Sequence, residues 1–308
     1  TAGDPVKNAR ALLRNALPIS NKPVRAIQAD LEGVSEQLRI PGSKALNPVN
    51  RAVRRAAGTL ASQKGAIAAA FAPAKKAAGV AALDALEVSL KQFQDVLAAQ
   101  DKQAVPAAQQ AALAHVTDIE EALVTSFPFD VPPKYAALPQ LKGRAVLEMK
   151  IKLATPRQDG VTGGILTMVA DGYNAPVTAG NFVDLAARRF YDGMEFQRAD
   201  GFVVQTGDPG NAEAGYVEGG KARTIPFEVR VQNDQAPIYE ETLEDLGRFN
   251  EQPALPFNAY GTIAAARSEF EANSASSQIF WLLKESELTP SGANLLDGRY
   301  AVLGYVVD

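Results

Sequence analysis

With 308 residues, 46% of them apolar, and a formal net charge of −4, the chain is long enough for about two domains with cores of their own, and its charge argues against binding nucleic acid by phosphate neutralisation. It has no cysteine, which excludes disulfides, zinc–thiolate sites and thiol catalysis, and it has no run of about 18 uncharged apolar residues that could span a membrane. The charge is divided: residues 1–127 hold 15 Lys+Arg against 11 Asp+Glu and residues 128–308 hold 16 against 24, giving halves of +4 and −8 that could attract one another or choose different partners.

Residues 1–127 read as helices separated by breakers, and the short connections predict an all-α bundle. The start, Thr1-Ala2-Gly3-Asp4, reads as a processed terminus, with Asp4-Pro5 as an N-cap followed by proline at the first helical position. Val6, Ala9, Leu12 and Leu13 then recur at helical spacing. A second helix is predicted from about Lys22 to Leu38, a third from Asn47-Pro48 to Pro73, a fourth over Ala74–Ala99 and a fifth over Ala104–Ser126. His115, with Asp118 and Glu120 nearby, falls short of a zinc set and reads as a helix-side polar residue. Arg51, Arg54 and Arg55 form a basic helix face, with a docking surface for an acidic partner as the minor reading.

Residues 128–142 are dense in proline and read as a stiff, extended linker, with Phe127, Phe129 and Tyr135 as aromatic anchors. From Gly143 the periodicity changes from 3.6 to 2, so residues 143–308 are predicted to form a β domain of about eight strands. Ala145–Ile151 and Gly164–Ala170 are its first strands, and the run after Asn174-Ala175-Pro176 is a helix. Met194–Arg198 and Phe202–Thr206 flank the turn Ala199-Asp200-Gly201 as a hairpin. Alternation places Phe196 with Arg198 on one face, and Phe202, Val204 and Thr206 together. Gly210–Ala259 is irregular and reads as an insertion. Gly261–Arg267 and Ser276–Leu283 are further strands, with Phe280 and Trp281 on opposite faces.

The hairpin resembles the central signature of the cyclophilins, the peptidyl-prolyl isomerases in which Phe-His-Arg leads to Gly-Phe-Met-x-Gln-Gly-Gly-Asp. Here it stands as Phe196-Gln197-Arg198, then Gly201-Phe202-Val203-Val204-Gln205-Thr206-Gly207-Asp208. The segment Pro176–Phe182, the run Gly261–Arg267, the run Ser276–Leu283 and Leu295-Leu296-Asp297-Gly298-Arg299-Tyr300 resemble other motifs of that family, in its order. The resemblance implies a multidomain α + β chain: a helical bundle over 1–127, then a cyclophilin-like closed β-barrel over 143–308 that stops before the family's second helix and last strand. A helical half joined to such a domain is similar to the large cyclophilins of the plant and algal thylakoid lumen.

An isomerase must lower a rotational barrier of about 18–20 kcal/mol by binding the twisted X–Pro bond. This takes an apolar slot for the proline ring, a donor to the prolyl nitrogen and groups that hold the flanking backbone; no cofactor or metal is needed. The resemblance assigns Arg198 as donor, with Gln205 and Gln197 as polar partners. It assigns Phe202, Val203, Ala266, Phe280, Leu295, Leu296 and Tyr300 to the substrate-binding surface. Gln197 replaces the family's His, Val203 its Met, Leu295 its Trp and Tyr300 its second His. Four altered pocket residues point to weak or absent isomerase activity and to an assembly chaperone or scaffold supporting photosystem II; the alternative is an active isomerase on lumenal X–Pro bonds. The implied partners are proline-containing loops of photosystem II subunits and a thylakoid membrane phosphatase, with the bundle packed on the barrel and no nucleic acid. The implied location is the thylakoid lumen, in soluble or peripheral form.

Overall fold

A computed structural model describes residues 5–285 and 294–308. The chain divides into two units, Leu17–Ser126 and the combination of Thr1–Ala16 with Phe127–Asp308.

The first unit is a bundle built on α2 (Lys22–Glu32), the short α3 (Val34–Gln37), α4 (Leu46–Ala69), α5 (Lys76–Ala98) and α6 (Val105–Ala122). Its elements form where helical periodicity and caps agree: the Asn21 side chain accepts from Val24 N, and Pro23 occupies the first turn of α2. The single helix predicted over 22–38 breaks at Gly33, the residue type with the poorest helix propensity after proline. Val49, Val53, Ala56, Leu60 and Ile67 of α4 and Leu83, Leu86, Leu90 and Phe93 of α5 are buried in one core. Each such leucine or phenylalanine contributes about 1.5–3 kcal/mol by leaving water. A polar clamp crosses the bundle: Arg25 donates to Glu120, fully buried, at 2.6 Å. The close approach at Gly79, where a Cβ would stand 2.6 Å from the Phe71 ring, leaves no room for a side chain.

In the second unit, β1 (Arg144–Lys152), β2 (Gly163–Asp171), β3 (Arg198–Ala199), β4 (Val203–Thr206), β9 (Thr262–Ala265), β10 (Ile279–Leu282) and β11 (Val302–Val306) form one strongly curled antiparallel sheet in the order β1-β2-β11-β9-β10-β4-β3. Two-stranded ribbons β5 (Val217–Glu218) with β6 (Lys221–Ala222), and β7 (Glu228–Val229) with β8 (Ile238–Tyr239), lie in the insertion. The expectation of a closed barrel of eight strands is corrected here. Seven strands make the sheet, and its edges β1 and β3 are not paired with each other among the described residues.

Strand alternation gives the sheet two apolar faces. One carries Met168, Ile263, Ala265, Ile279, Trp281 and Leu303, and α7 (Pro176–Ala187) covers it through Val177 and Phe182. The other carries Val203, Ala264, Phe280, Leu282, Val302 and Tyr305, covered by Leu12, Leu13 and Ala16 of the chain start and by Leu255, Phe257 and Ala259 of the insertion. So α1 (Ala9–Asn15) packs with the sheet rather than with the bundle, because its two leucines are buried on the β11 side. Its cap is Asn8, whose side chain accepts from Ala11 N; the expected cap at Asp4 lies outside the described residues. The proline-rich stretch also joins this unit rather than standing free. Tyr135 is buried, and Val131, Leu138 and Leu141 pack against the same cluster.

Candidate functional site

The site grows from the hairpin β3–β4. Asp200 fixes the turn: its Oδ1 accepts from Phe202 N and Val203 N, both at 3.0 Å, and Gly201 takes a φ of +80° that a side chain would oppose. Its Oδ2 accepts from Arg198 Nε at 2.7 Å. These contacts, the Val203 amide foremost, then Arg198 and Phe202, hold the Asp200 carboxyl down at about 2.

The register then lines up residues from distant parts of the chain. Arg198 stands opposite Gln205, Gln205 opposite Phe280, and Phe280 opposite Ala264. Directly opposed residues share a face about 4.5–5.5 Å apart. The guanidinium, the amide and the aromatic ring therefore form one row across three strands, which Ala264 extends to a fourth.

Beside this row is a polar hub. Gln278 Oε1 accepts from Gln205 Nε2 at 2.8 Å and from Gln197 Nε2 at 2.9 Å, while Gln278 Nε2 donates to the Ala214 carbonyl at 2.8 Å. Gln197 and Gln205 meet on Gln278 Oε1, and the register sets Arg198 opposite Gln205. The expected pairing of Phe196 with Arg198 on one face is corrected: β3 is only two residues long, so alternation stops at Arg198. Phe196 instead packs edge-on against Trp281 on the opposite face, with centroids 5.9 Å apart.

On the apolar side, Val203 and Phe280 are 3% and 6% exposed, and Ala266, Leu296 and Tyr300 pack against the same cluster. Tyr300 meets Phe280 edge-on at 5.5 Å, and the Arg267 guanidinium lies 4.9 Å from the Tyr300 ring. Two assigned residues stay apart from this cluster. Phe202 is partly exposed beneath Lys284, whose Nζ is 5.7 Å from the ring, and Leu295 is 84% exposed. Phe257 lies parallel to Phe280 at 7° and offset from it, with centroids 6.0 Å apart. Phe257 N donates to Asp297 Oδ1 at 2.7 Å and Asn294 N to its Oδ2 at 3.2 Å; burial nevertheless pushes Asp297 up to about 6.

Three of these residues escaped assignment from the sequence. Gln278 had a usable signal, since it lies two residues before Phe280 and so shares its face. Asp297 stood inside a family-like motif, Leu295 to Tyr300, without a role. Phe257 had only the apolar run Leu255-Pro256-Phe257 inside an irregular insertion, and its partner lies 23 positions on. Among the described residues no three His, Cys, Asp or Glu side chains stand close enough together to hold a metal ion.

A glutamine-and-arginine row beside an aromatic apolar patch is suited to gripping peptide backbone and a proline ring, without a nucleophile or proton relay. Residues 158–308 match the family model of cyclophilin-type peptidyl-prolyl cis-trans isomerases, and residues 8–124 match that of the PsbQ-like domain of CYP38-like peptidyl-prolyl cis-trans isomerases. The chain is 50% identical to chloroplastic peptidyl-prolyl cis-trans isomerase CYP38 of Arabidopsis thaliana, over 100% of this chain and 70% of that protein. It is 43% identical to a putative thylakoid lumen peptidyl-prolyl cis-trans isomerase of Synechocystis, over 99% of this chain and 78% of that protein. It is also 30% identical to chloroplastic CYP37 of Arabidopsis thaliana, over 96% of this chain and 64% of that protein. The chain belongs to the cyclophilin-type peptidyl-prolyl isomerase family, among its CYP38-like members with a PsbQ-like helical domain.

Proposed function

We propose that this protein works in the chloroplast thylakoid lumen as a cyclophilin-type binding protein, holding proline-containing segments of photosystem II subunits during assembly and maintenance and turning over X–Pro bonds slowly or not at all. The location follows from its relatives, a chloroplastic and a putative thylakoid lumen isomerase. Among the described residues no helix is long and apolar enough to cross a membrane. The observation that carries the low turnover is the burial of the slot: Phe280 and Val203 are 6% and 3% exposed, so a substrate ring finds neither surface open. Without a seated ring there is no tight binding of the twisted state, and catalysis is differential binding of that state.

A second reading, an active isomerase, is favoured by the intact row Arg198–Gln205–Phe280 and by Arg198 itself, whose side chain is 52% exposed. A protease-coupled assay with a proline tetrapeptide separates the two. The expected kcat/KM is at least about 100-fold below that of a cyclophilin with an open slot, equivalent to about 2.7 kcal/mol of lost transition-state binding. A rate equal to that of such a cyclophilin would establish the second reading.

A further inference from the structure

We propose that Phe257 is the specificity-determining residue of this site: its ring, parallel to Phe280 and offset from it, overlaps the place beside Phe280 that a substrate proline would take, so the insertion supplies the slot with a built-in occupant. The inference rests on the reading of the Phe280 surface as the prolyl slot, and adds what closes it. Four observations converge. First, Phe257 is fully buried and lies parallel to the flat face of Phe280, while Tyr300 meets the same ring edge-on. A pyrrolidine ring packs on the face of an aromatic ring, and a second ring held parallel at this offset overhangs the edge of that face and narrows the space left for it.

Second, the backbone around Phe257 is clasped rather than draped. Ala254 N donates to the Arg230 carbonyl at 2.8 Å, and the Tyr305 hydroxyl donates to the Pro256 carbonyl at 2.7 Å. Phe257 N donates to Asp297, and the Phe257 carbonyl accepts from Asn294 Nδ2 at 3.2 Å. Third, the segment Leu255-Pro256-Phe257 is itself an X–Pro sequence with an aromatic residue after the proline, and all three residues are buried. Fourth, the polar row that would hold a peptide backbone stays accessible at Arg198. The site is therefore closed at the ring position alone, which fits a surface that recognises extended chain without seating proline.

The test uses the full chain, titrated with a succinyl-Ala-Ala-Pro-Phe anilide and followed by calorimetry and by amide shifts. Phe257→Ala should bind the peptide at least about tenfold more tightly than the wild type, with shifts at Phe280 and Ala264. Adding Arg198→Ala to that variant should remove most of the gain. Phe257→Leu, a smaller loss of volume, should give an intermediate gain and serves if Phe257→Ala melts below the assay temperature. Unchanged affinity in a variant shown to be folded by its melt would overturn the proposal. So would an equal gain in Ile279→Val, which loosens the opposite face. A wild-type chain with the turnover of an open cyclophilin would instead refute the proposed function, whereas an inactive wild type whose folded Phe257→Ala variant binds no better would remove the built-in occupant alone.

Discussion

Gln278 Oε1 accepts from Gln205 Nε2 at 2.8 Å, and the same side chain donates from its Nε2 to the Ala214 carbonyl at 2.8 Å. One amide thereby couples the central strand of the site to an irregular loop in which Ala214 holds a positive φ of 49°. Gln278→Leu keeps the volume and removes three hydrogen bonds, each with a net value of about 0.5–1.5 kcal/mol. Part of that is regained by hydration at this half-buried place. The expected loss is about 1–3 kcal/mol by urea unfolding, with faster amide exchange in residues 211–216. Unchanged exchange there would show that the loop does not depend on the hub.

Arg198 and Asp200 form an exposed pair within one turn, and exposed pairs contribute little to folding. Arg198→Ala should leave the urea midpoint unchanged while removing whatever isomerase rate exists. Asp200 titrates low in the folded chain, so its contribution to the turn is present above its ordinary value of 3.8 and lost as pH falls toward about 2. The Phe202 and Val203 amides should stay protected at pH 5 and open only well below pH 4. Because the Val203 amide is the largest influence, Arg198→Ala should raise the Asp200 midpoint only partway, as a carboxyl titration by NMR would show.

Glu228 reaches from the insertion to the start of α7. Its carboxylate accepts from Val177 N, Thr178 N, Thr178 Oγ1 and the Tyr239 hydroxyl, and it is 1% exposed. These amides are first-turn donors that no helix can satisfy by itself. Glu228→Ala strands three buried donors and the part-buried Tyr239 hydroxyl, the buried ones each worth about 1–3 kcal/mol if left unpaired. A loss of about 3 kcal/mol or more is expected in chemical unfolding, and less for Glu228→Gln, which keeps one acceptor. A loss under about 1 kcal/mol for the alanine variant would mean that water replaces the carboxylate at this helix start.

The bundle was legible because its signal is local: the stripe Leu83, Leu86, Leu90, Phe93 and Leu97 is written at spacings of three and four, and all five are buried. The strands β1, β2, β9 and β10 were equally legible from alternation. Arg198, Gln205 and Phe280 came together because motif order and strand register agree. What could not be read were contacts between distant segments without periodicity. The chain start looked like the first helix of the bundle, yet Leu12 and Leu13 have their partners near Tyr305, almost three hundred positions away. The proline-rich stretch looked like a spacer because proline density fixes local stiffness and says nothing about where Tyr135 is buried. Phe196 was placed by an alternation that a two-residue strand cannot carry.

Leu295 is 84% exposed and stands where the family carries tryptophan. Adding an indole there restores contact area and a donor, but leaves Phe257 stacked on Phe280. Leu295→Trp alone is therefore expected to give less than about a threefold gain for a cyclosporin-type cyclic peptide, under about 0.7 kcal/mol. Combined with Phe257→Ala it should give a gain larger than either change alone. Calorimetric titration of the four chains as a double-mutant cycle measures that coupling. A full gain from Leu295→Trp by itself would show that the missing indole, not the filled slot, limits binding.

Asp297 joins the stability of the chain to pH. Its ordinary value is 3.8, and burial pushes it up to about 6 in the folded protein against the pull of the Phe257 and Asn294 amides. An acid with a raised folded value holds its proton more tightly in the native chain. Its favourable contribution is thus fully present below about pH 3.8 and is lost as pH rises through about 6. Two units would correspond to about 3 kcal/mol for a fully dry carboxyl. Asp297 is only partly shielded, so a change of about 1–2 kcal/mol between pH 4 and pH 7 is expected from this group. Asp297→Asn keeps a carbonyl oxygen for Phe257 N and abolishes the titration. Urea unfolding of both chains at pH 4, 5, 6 and 7 isolates the effect, because every other titrating group is common to the two. The difference in stability between Asp297→Asn and wild type should move in favour of the asparagine as pH rises across that interval. A constant difference would place the Asp297 carboxyl at an ordinary value and leave its hold on Phe257 independent of pH.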